Sequence, residues 1–246
     1  MVDIFPFDDI VYFGDSKGRG GFGFVELLPA MLAIRNTYRG PTPPAVPPRT
    51  GVFTVPSFAS YDRGNPRWHN LSLDGQTTNS LVARTAEIVA INPQVCIIGI
   101  ETNDADPAFL VSNATFTSNI NTAIAAIRTG SRLRTNGILW IQATCRGEKF
   151  PFGSNVDDLT ATGLGAKDDI LRQRAAALNF EVVEGRTDST AIGGGNGPWL
   201  TYEQTFNLGN VDAPFANSLT QDGKHDTQAG TVWTSNLALA HIRLNG

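Results

Sequence analysis

The sequence predicts a three-layer α/β/α sandwich with a central parallel sheet. Four short apolar runs, at residues 10–13, 95–100, 138–142 and 180–183, are nearly continuous rather than alternating. Continuous apolar runs are typical of strands that are buried on both faces. Segments with helical spacing separate these runs, and strands that alternate with helices form parallel sheets.

The helical segments follow the strands in order along the chain. Apolar spacing predicts helices over residues 24–38, 80–91, 119–129, 165–178 and about 227–244. Two stretches fall outside this alternation, one at about 40–66 with GPTPPAVPPR and one at about 186–217 with IGGGNGPW. Prolines favour extended backbone and glycines favour turns, so both stretches are predicted to be long loop insertions. We expect them to wall a cleft beyond the carboxyl ends of the strands.

Length and composition favour one soluble domain over residues 1–246. Hydrophobic residues make up 41% of the chain, which is enough for a globular core. A net charge of -4 without a basic run argues against a nucleic-acid partner. The amino terminus has no basic start followed by a long apolar stretch, so neither a signal peptide nor membrane insertion is expected. The two cysteines, Cys96 and Cys145, are predicted to be buried or half-buried free thiols.

The first predicted strand runs into FGDSKGRGGFGF, which allows three interpretations. Gly18, Gly20 and Gly23 match the GxGxxG pattern of a dinucleotide site between a strand and a helix. Such a site also needs an acidic residue about 20 residues further on, where this chain reads YRGPTPPAVPPR without an acid. The dinucleotide interpretation is therefore disfavoured.

The same segment also matches the nucleophile elbow G-x-S-x-G through Gly14, Ser16 and Gly18. In α/β-hydrolases the oxyanion loop comes from a strand earlier in the chain than the elbow. Here a single predicted strand precedes Ser16. The elbow geometry is therefore compatible with the sequence, whereas that fold is not.

Four segments support the third interpretation. They are FGDS at 13–16, LSLDGQTTNSL at 71–81, IIGIETND at 97–104 and DGKHDTQAG at 222–230. In this order and spacing they resemble the sequence blocks of the SGNH (GDSL-like) serine hydrolases. The resemblance spans residues 10–244 and implies that family's flavodoxin-like SGNH hydrolase fold.

The resemblance implies a role for five residues. Ser16 would be the nucleophile, with Asp222 and His225 completing a catalytic triad. The oxyanion hole would consist of the backbone N–H groups of Ser16 and Gly75 and the side-chain amide of Asn103. No metal or organic cofactor is expected.

The chemistry of the residues agrees with this assignment. A serine hydroxyl needs a neighbouring base, and histidine has a pKa near neutrality. Of the three histidines, His225 alone has a carboxylate, Asp222, three residues before it. His69 is predicted to lie in a polar loop without an acid at suitable spacing, and His241 in the last helix as a packed or surface residue.

Two positions depart from the family pattern. Lys17 follows the serine where GDSL enzymes have leucine, and Glu101 stands where glycine is usual two residues before Asn103. Glu101 is expected beside the oxyanion site, where it would repel developing negative charge unless it is turned away or paired. Asp106 has no place in the motif and is expected to be a surface acid.

The sequence predicts a serine esterase for short-chain, chiefly acetyl, esters, with a small-molecule or glycan ester as substrate. A carbohydrate O-deacetylase is the first candidate because the predicted cleft loops carry aromatic residues suited to stacking on sugars, namely Tyr61, Trp68, Trp199 and Tyr202. The same aromatic residues could instead anchor the long loops, and the sequence does not distinguish these two roles. Two alternatives remain open. One is a lipase- or thioesterase-type acyl hydrolase, and the other is a non-catalytic binding module in a virion or surface assembly.

Overall fold

The computed structural model describes residues 1–18, 28, 53–55, 66–106, 108–142, 164–184 and 228–244. Two sheets lie in this part of the chain. A two-stranded parallel sheet pairs β1 (Val2–Ile4) with the last strand, β8 (Ile242–Leu244). The remaining strands form the central sheet, and they are β2 (Asp9–Gly14), β3 (Phe53–Val55), β4 (Arg67–Asn70), β5 (Val95–Gly99), β6 (Ile138–Ile141) and β7 (Glu181–Val183).

The central sheet has the order β3-β4-β2-β5-β6-β7. All neighbouring strands are parallel except β3, which runs antiparallel to β4 at the edge. Parallel strands need crossover connections, and helices supply them. The described helices are α1 (Thr78–Ala83), α2 (Thr85–Ile91), α3 (Thr102–Ala105), α4 (Asn113–Gly130), α5 (Leu164–Leu178) and α6 (Gln228–Ala240).

Side chains that alternate along the strands form two separate cores. One core joins Phe13, Ile98 and Trp140 to apolar residues of α1, α2, α4 and α5. The other joins Tyr12 and Ile97 to apolar residues of α6 and of the two-stranded sheet. Helices therefore cover both faces of a mostly parallel sheet, and the predicted three-layer α/β/α class is confirmed.

Most predicted elements are confirmed, with shifted ends. All four predicted strands are present as β2, β5, β6 and β7. The predicted helix 80–91 is two helices that meet at Arg84, and the predicted helix 119–129 begins earlier, at Asn113. The Ser112 hydroxyl accepts a hydrogen bond from the Thr115 N–H at 3.1 Å and caps this earlier start. The predicted helix 165–178 matches α5.

Two predictions about elements are wrong. The last helix does not continue to 244, because α6 ends at Ala240 and β8 follows it. The insertion 40–66 is not entirely loop, since it contains β3. The insertion 186–217 lies outside the described residues, as does the predicted helix 24–38 apart from Leu28, which is helical and buried.

Ion pairs hold the amino ends of the central strands. Arg134 donates to both carboxylate oxygens of buried Asp8, each at 2.5 Å, and Arg67 donates to Asp9. His69 Nε2 lies 2.9 Å from the other oxygen of Asp9. His69 is therefore not in a loop without an acid, as its sequence neighbourhood suggests, but in β4 beside a carboxylate.

Candidate functional site

Ser16 lies just beyond the carboxyl end of β2. The strand ends at Gly14, and residues Ser16–Gly18 form a tight 3-10 turn in which the Gly18 N–H donates to the Asp15 carbonyl at 3.0 Å. A Cβ on Gly18 would come within 2.2 Å of the Ser72 hydroxyl oxygen, so glycine is required for this close approach. The turn leaves Ser16 partly exposed at the edge where ligands bind in parallel sheets.

The loop that follows β4 carries Gly75 to the same edge. The Leu71 N–H donates to the Tyr12 carbonyl at 2.9 Å and the Leu73 N–H to the Gly14 carbonyl at 3.3 Å, which extends the pairing with β2 beyond the strand. Gly75 has a φ of 71°, in the left-handed region that favours glycine. The backbone N–H of Gly75 is thus carried by a loop that is anchored to the end of β2.

Gln76 joins the elements of the candidate oxyanion hole. Its side-chain amide donates to the Gly14 carbonyl and, at 3.1 Å, to the Leu71 carbonyl. Its own carbonyl accepts a hydrogen bond from Nδ2 of Asn103 at 3.0 Å. Asn103 is buried in α3, directly after β5. The amide of Asn103 carries two hydrogens, and Gln76 engages one of them.

The structure therefore brings three of the five predicted site residues to one edge of the sheet. Ser16, Gly75 and Asn103 follow β2, β4 and β5, which are adjacent strands. Asp222 and His225 lie outside the described residues, and their pairing with Ser16 stays a prediction. Lys17 is described only by its backbone.

Asp104, the residue after Asn103 in α3, has a buried carboxylate. The Thr78 N–H donates to its two oxygens at 3.0 and 3.1 Å, and the Thr78 hydroxyl donates to one of them. Burial raises the pKa of Asp104 to about 6, against the opposing effects of Thr78 and of the positive charge on Lys167. The negative charge of Asp15 raises this pKa further.

Lys167 reaches the same region from α5. Its ammonium donates to the Val111 carbonyl and to Oδ1 of Asn113 at 2.9 Å, and it lies 4.9 Å from the centre of the Phe116 ring. Burial lowers the pKa of Lys167, whereas the negative charges of Asp104 and Glu101 raise it. Lys167 is fully buried, so its charge acts on these neighbours with little screening from solvent.

Glu101, which stands at the usual glycine position, interacts electrostatically with a positively charged side chain. Glu101 is buried at the start of α3 and lies in the electrostatic field of Lys167. A positive charge from α5 therefore accompanies the carboxylate that stands at the usual glycine position. This charge partner, more than sixty residues away, has no signal in the local sequence.

Two expectations about individual residues are wrong, and a third is right only in part. Trp68 lies in β4 and is buried in the core shared with α6, so it does not line a cleft loop. Asp106 is buried rather than exposed, and its carboxylate accepts the Ala108 N–H at 2.9 Å. His241 lies in the turn after α6 rather than in the helix, but its half-buried side chain, with Nδ1 2.7 Å from Glu181, has the expected packed or surface role. Tyr61, Trp199 and Tyr202 lie outside the described residues.

His69 has a carboxylate neighbour but lies at the wrong end of the sheet to serve Ser16. Its partner Asp9 begins β2, whereas Ser16 follows Gly14 at the end of that strand. Five steps of about 3.3 Å along a strand separate Asp9 from Gly14 by roughly 16 Å. A base must approach the serine hydroxyl to about 3 Å, so His69 is excluded as its proton acceptor.

Phe109 borders the candidate site and has no counterpart in the sequence predictions. Two of its ring carbons lie 3.6 and 3.7 Å from the position that a Cβ on Gly75 would take. The segment AFL at 108–110 has neither strand alternation nor helical spacing, so the sequence offers no signal for this contact.

Neither metal ligation nor membrane insertion is indicated in the part of the chain that the structure describes. Within it, no group of three or more His, Cys, Asp or Glu residues is arranged to bind a metal ion. None of the described helices is long and apolar enough to cross a membrane. Cys96 is a buried free thiol, as predicted, and burial raises its pKa to about 12. Cys145 lies outside the described residues.

Solved structures with the same architecture were found across nearly the whole chain. An acetyl xylan esterase covers 95% of this chain and 98% of its own, with a TM-score of 0.62 and 16% identity. The lipase/acylhydrolase from Enterococcus faecalis covers 98% and 95%, with a TM-score of 0.62 and 18% identity. A catalytic mutant of an acetylxylan esterase from Geobacillus stearothermophilus covers 96% and 94%, with a TM-score of 0.60 and 16% identity. No protein-family model and no curated protein sequence matches the chain.

Proposed function

The chain has the three-layer fold of the SGNH/GDSL-like hydrolases, and from this premise we propose that it is a serine hydrolase of carboxylic esters. Ser16 is the nucleophile, His225 is the general base and Asp222 orients the imidazole. The N–H groups of Ser16 and Gly75 and the amide of Asn103 bind the oxyanion. One observation carries the proposal: Gln76 accepts from Asn103 and donates to Gly14, which ties together the three elements that bear these donors.

The proposed reaction is a two-step acyl transfer. Ser16 Oγ attacks the ester carbonyl carbon while His225 takes its proton, and the carbonyl oxygen becomes an oxyanion. The intermediate then collapses, the bond to the alcohol oxygen breaks, and His225 returns the proton to the departing alcohol. Water, deprotonated by His225, attacks the acyl-enzyme in the same way and releases the carboxylic acid and the free serine.

The arrangement of Asn103 suits stabilisation of the transition state. Its amide is held in place by the Gln76 carbonyl, and the strand β5 and helix α3 fix its backbone. A donor that is fixed before the reaction needs no reorganisation when charge develops. We therefore expect Asn103 to contribute more to kcat than to substrate binding.

Short acyl groups are the proposed substrate class, with carbohydrate O-acetyl esters as the first candidates. Two of the solved structures with this fold are described as acetylxylan esterases, which supports an ester of this kind. Another is described as a lipase/acylhydrolase, and this makes a lipase- or thioesterase-type hydrolase the second candidate. The alternative to a hydrolase is a non-catalytic binding module.

Hydrolysis of p-nitrophenyl acetate by the full chain and by Ser16→Ala tests the proposal. We expect Ser16→Ala to lower kcat/KM by more than about a thousandfold, because removal of the nucleophile leaves only the remaining site groups. Ser131→Ala, at the far end of α4, is the matched serine control and should keep the wild-type rate. Full activity in Ser16→Ala would refute the assignment of the nucleophile.

A folded wild-type protein without activity on any ester would favour the binding module. Acetate release from acetylated xylan would support the carbohydrate substrate.

A further inference from the structure

Arg84 lies at the junction of α1 and α2 and reaches the loop that carries Gly75. One of its terminal nitrogens, Nη1, donates to the Leu71 carbonyl at 2.9 Å and to Oε1 of Gln76. The carbon of its guanidinium also lies 5.3 Å from the centre of the Phe13 ring in β2. One half-buried cation therefore contacts both β2 and the loop that follows β4.

The contact with Arg84 fixes the orientation of the Gln76 amide. A guanidinium has donors and no acceptor, so it binds only the oxygen of an amide. With Oε1 held by Arg84, Nε2 points the opposite way, where it donates to the Gly14 and Leu71 carbonyls. A flipped amide would place Nε2 against the guanidinium and Oε1 against two carbonyl oxygens, and it would lose all three hydrogen bonds.

The oriented amide belongs to a residue that contacts the elements of the proposed oxyanion hole. Gln76 follows Gly75 directly in the chain, and its carbonyl accepts from the Asn103 amide at 3.0 Å. Gly14, to which the side chain of Gln76 donates, lies two residues before Ser16. Movement of Gln76 would therefore shift both the segment that bears the Gly75 N–H and the carbonyl that holds Asn103.

Glu87 holds the guanidinium in the geometry that these contacts require. Nε and Nη2 of Arg84 donate to the two carboxylate oxygens of Glu87 at 2.8 and 2.6 Å. Hydrogen bonding to Arg84 also holds the pKa of Glu87 below its ordinary value. Bidentate pairs of arginine with a carboxylate fix orientation as well as contributing energy. The pair thus leaves Nη1 to face Leu71 and Gln76.

We propose that Arg84 is a positioning residue for the oxyanion hole, and that it acts by orienting the Gln76 amide. The inference rests on the proposed ester hydrolysis and adds a residue that acts on the site through another side chain. Because the oxyanion forms only in the transition state, loss of this orientation should lower kcat and leave KM nearly unchanged. A purely structural role at the junction of α1 and α2 would lower stability without this change in kcat.

The test is Arg84→Met, which keeps most of the length of the side chain and removes the guanidinium. We expect kcat for p-nitrophenyl acetate to fall about tenfold and KM to change by less than about twofold, since small displacements of catalytic groups are costly. Kinetic constants are expressed per folded molecule, with the folded fraction taken from chemical denaturation.

Arg128→Met is the matched control for this substitution. Arg128 also donates to backbone carbonyls, those of Leu178 and Asn179, but it does so at the amino end of the sheet. Arg128→Met should therefore lose stability and keep the wild-type kcat. An equal loss of kcat in Arg128→Met would overturn the inference.

Two further variants test whether Arg84 acts through Gln76. Arg84→Lys keeps a cation that donates and does not accept, so its kcat should recover to within about threefold of the wild-type value. Gln76→Met removes the amide that Arg84 orients. Adding Arg84→Met to Gln76→Met should lower kcat by less than about twofold, because changes that act through one contact are not additive.

The possible outcomes distinguish failure of this inference from failure of the proposed function. If hydrolysis depends on Ser16 but Arg84→Met keeps the wild-type kcat, the positioning role is wrong and ester hydrolysis stands. An undiminished effect of Arg84→Met in the Gln76→Met background would also overturn the inference. So would a kcat of Arg84→Lys as low as that of Arg84→Met, and this comparison decides the question if Gln76→Met does not fold. Hydrolysis that does not depend on Ser16 would overturn both proposals together.

Discussion

The two ends of the central sheet both bury carboxylates, but they stabilise them differently. At the amino end, Asp8 and Asp9 contact the positively charged side chains of Arg134 and Arg67 directly. At the carboxyl end, Asp104 accepts hydrogen bonds from uncharged Thr78, and Lys167 acts on it through its field. The amino end thus has direct ion pairs, whereas the carboxyl end has a carboxyl group whose pKa is raised to about 6.

This difference indicates that the two ends have different roles, one in stability and the other in positioning the loops of the site. Direct ion pairs at the amino end satisfy buried charges and fix the register of the strands. At the carboxyl end, polar groups position loop backbone: Thr78 and Asp104 connect α1 to α3, and Lys167 holds the Val111 carbonyl. Carboxyl groups with strongly perturbed pKa values concentrate at functional sites. We therefore expect substitutions at the amino end to affect stability alone and those at the carboxyl end to affect activity as well.

Apart from removal of the nucleophile, the largest expected effect at the carboxyl end comes from Asn103→Ala. Loss of one oxyanion donor typically lowers kcat by on the order of a hundred- to a thousandfold. Asn103→Asp keeps the size but removes the N–H donor, so it should lose at least as much. At the amino end, Asn136→Ala removes an amide that donates to Met1 and Asp3, and it should leave kcat unchanged. Steady-state kinetics of the folded variants measure these changes in kcat. A near-normal kcat in Asn103→Ala would show that the Asn103 amide does not bind the oxyanion.

A second comparison uses one cation from each end, each of which donates to a buried acceptor. Arg134→Met leaves Asp8 without its bidentate partner, and Lys167→Met leaves the Val111 carbonyl without its donor. Each should lower the free energy of unfolding by about 2 to 4 kcal/mol, as loss of a buried charged partner does. Chemical denaturation measures this loss. Among the molecules that stay folded, Lys167→Met should also lower kcat by about tenfold, because it loosens the loop next to Asn103. An equal loss of kcat in Arg134→Met would show that the amino end affects activity as much as the carboxyl end does.

The smallest expected effect is on the pH dependence of stability, and it tests the titration of one group, Asp104. The pKa of Asp104 is raised from 3.8 to about 6 by folding, so between these values the folded protein holds a proton that the unfolded chain releases. The contribution of this group to stability is therefore largest below about pH 4 and is lost as pH rises through 6. The charged groups that face Asp104 are Asp15 and Lys167, and Glu101 acts on the same lysine.

Asp104→Asn removes this titration and keeps an acceptor for Thr78. The melting temperature of Asp104→Asn minus that of the wild-type protein should increase by roughly 5 °C between pH 4 and pH 7. Other titrating groups are shared by both proteins and cancel in the difference. A difference that is constant or decreases with pH would mean that Asp104 is ionised in the folded protein throughout this range.

The sequence predicts strands with a continuous apolar run well and strands with other patterns poorly, for a physical reason. β2 and β5 are buried on both faces, and such burial leaves a continuous apolar run. β4 has the sequence RWHN with an alternating burial pattern, and its polar side chains pair with groups far along the chain. The strand β8 continues helical apolar spacing in the sequence, but Ile242 and Leu244 pair with β1.

The same distinction applies to the candidate site. Ser16, Gly75 and Asn103 follow strands in recognisable motifs, so their common location at one edge could be predicted. The contacts that hold them could not, because Gln76 reaches Asn103 across 27 residues and Lys167 reaches Val111 across 56. An aspartate outside any motif is expected at the surface, but Asp106 is buried and its carboxylate accepts the Ala108 N–H in a local turn. Such contacts follow from tertiary packing and have no periodicity in the sequence.

Covalent labelling of Ser16 tests the central claim most directly. A fluorophosphonate reacts with a serine that is activated by a neighbouring base, and the adduct can be located by mass spectrometry of the digested protein. The account predicts one stoichiometric adduct on the peptide that contains Ser16, complete loss of ester hydrolysis in the labelled protein, and no adduct in Ser16→Ala. Labelling at another serine, or hydrolysis that persists after Ser16 is fully modified, would contradict the proposed nucleophile and with it the proposed function.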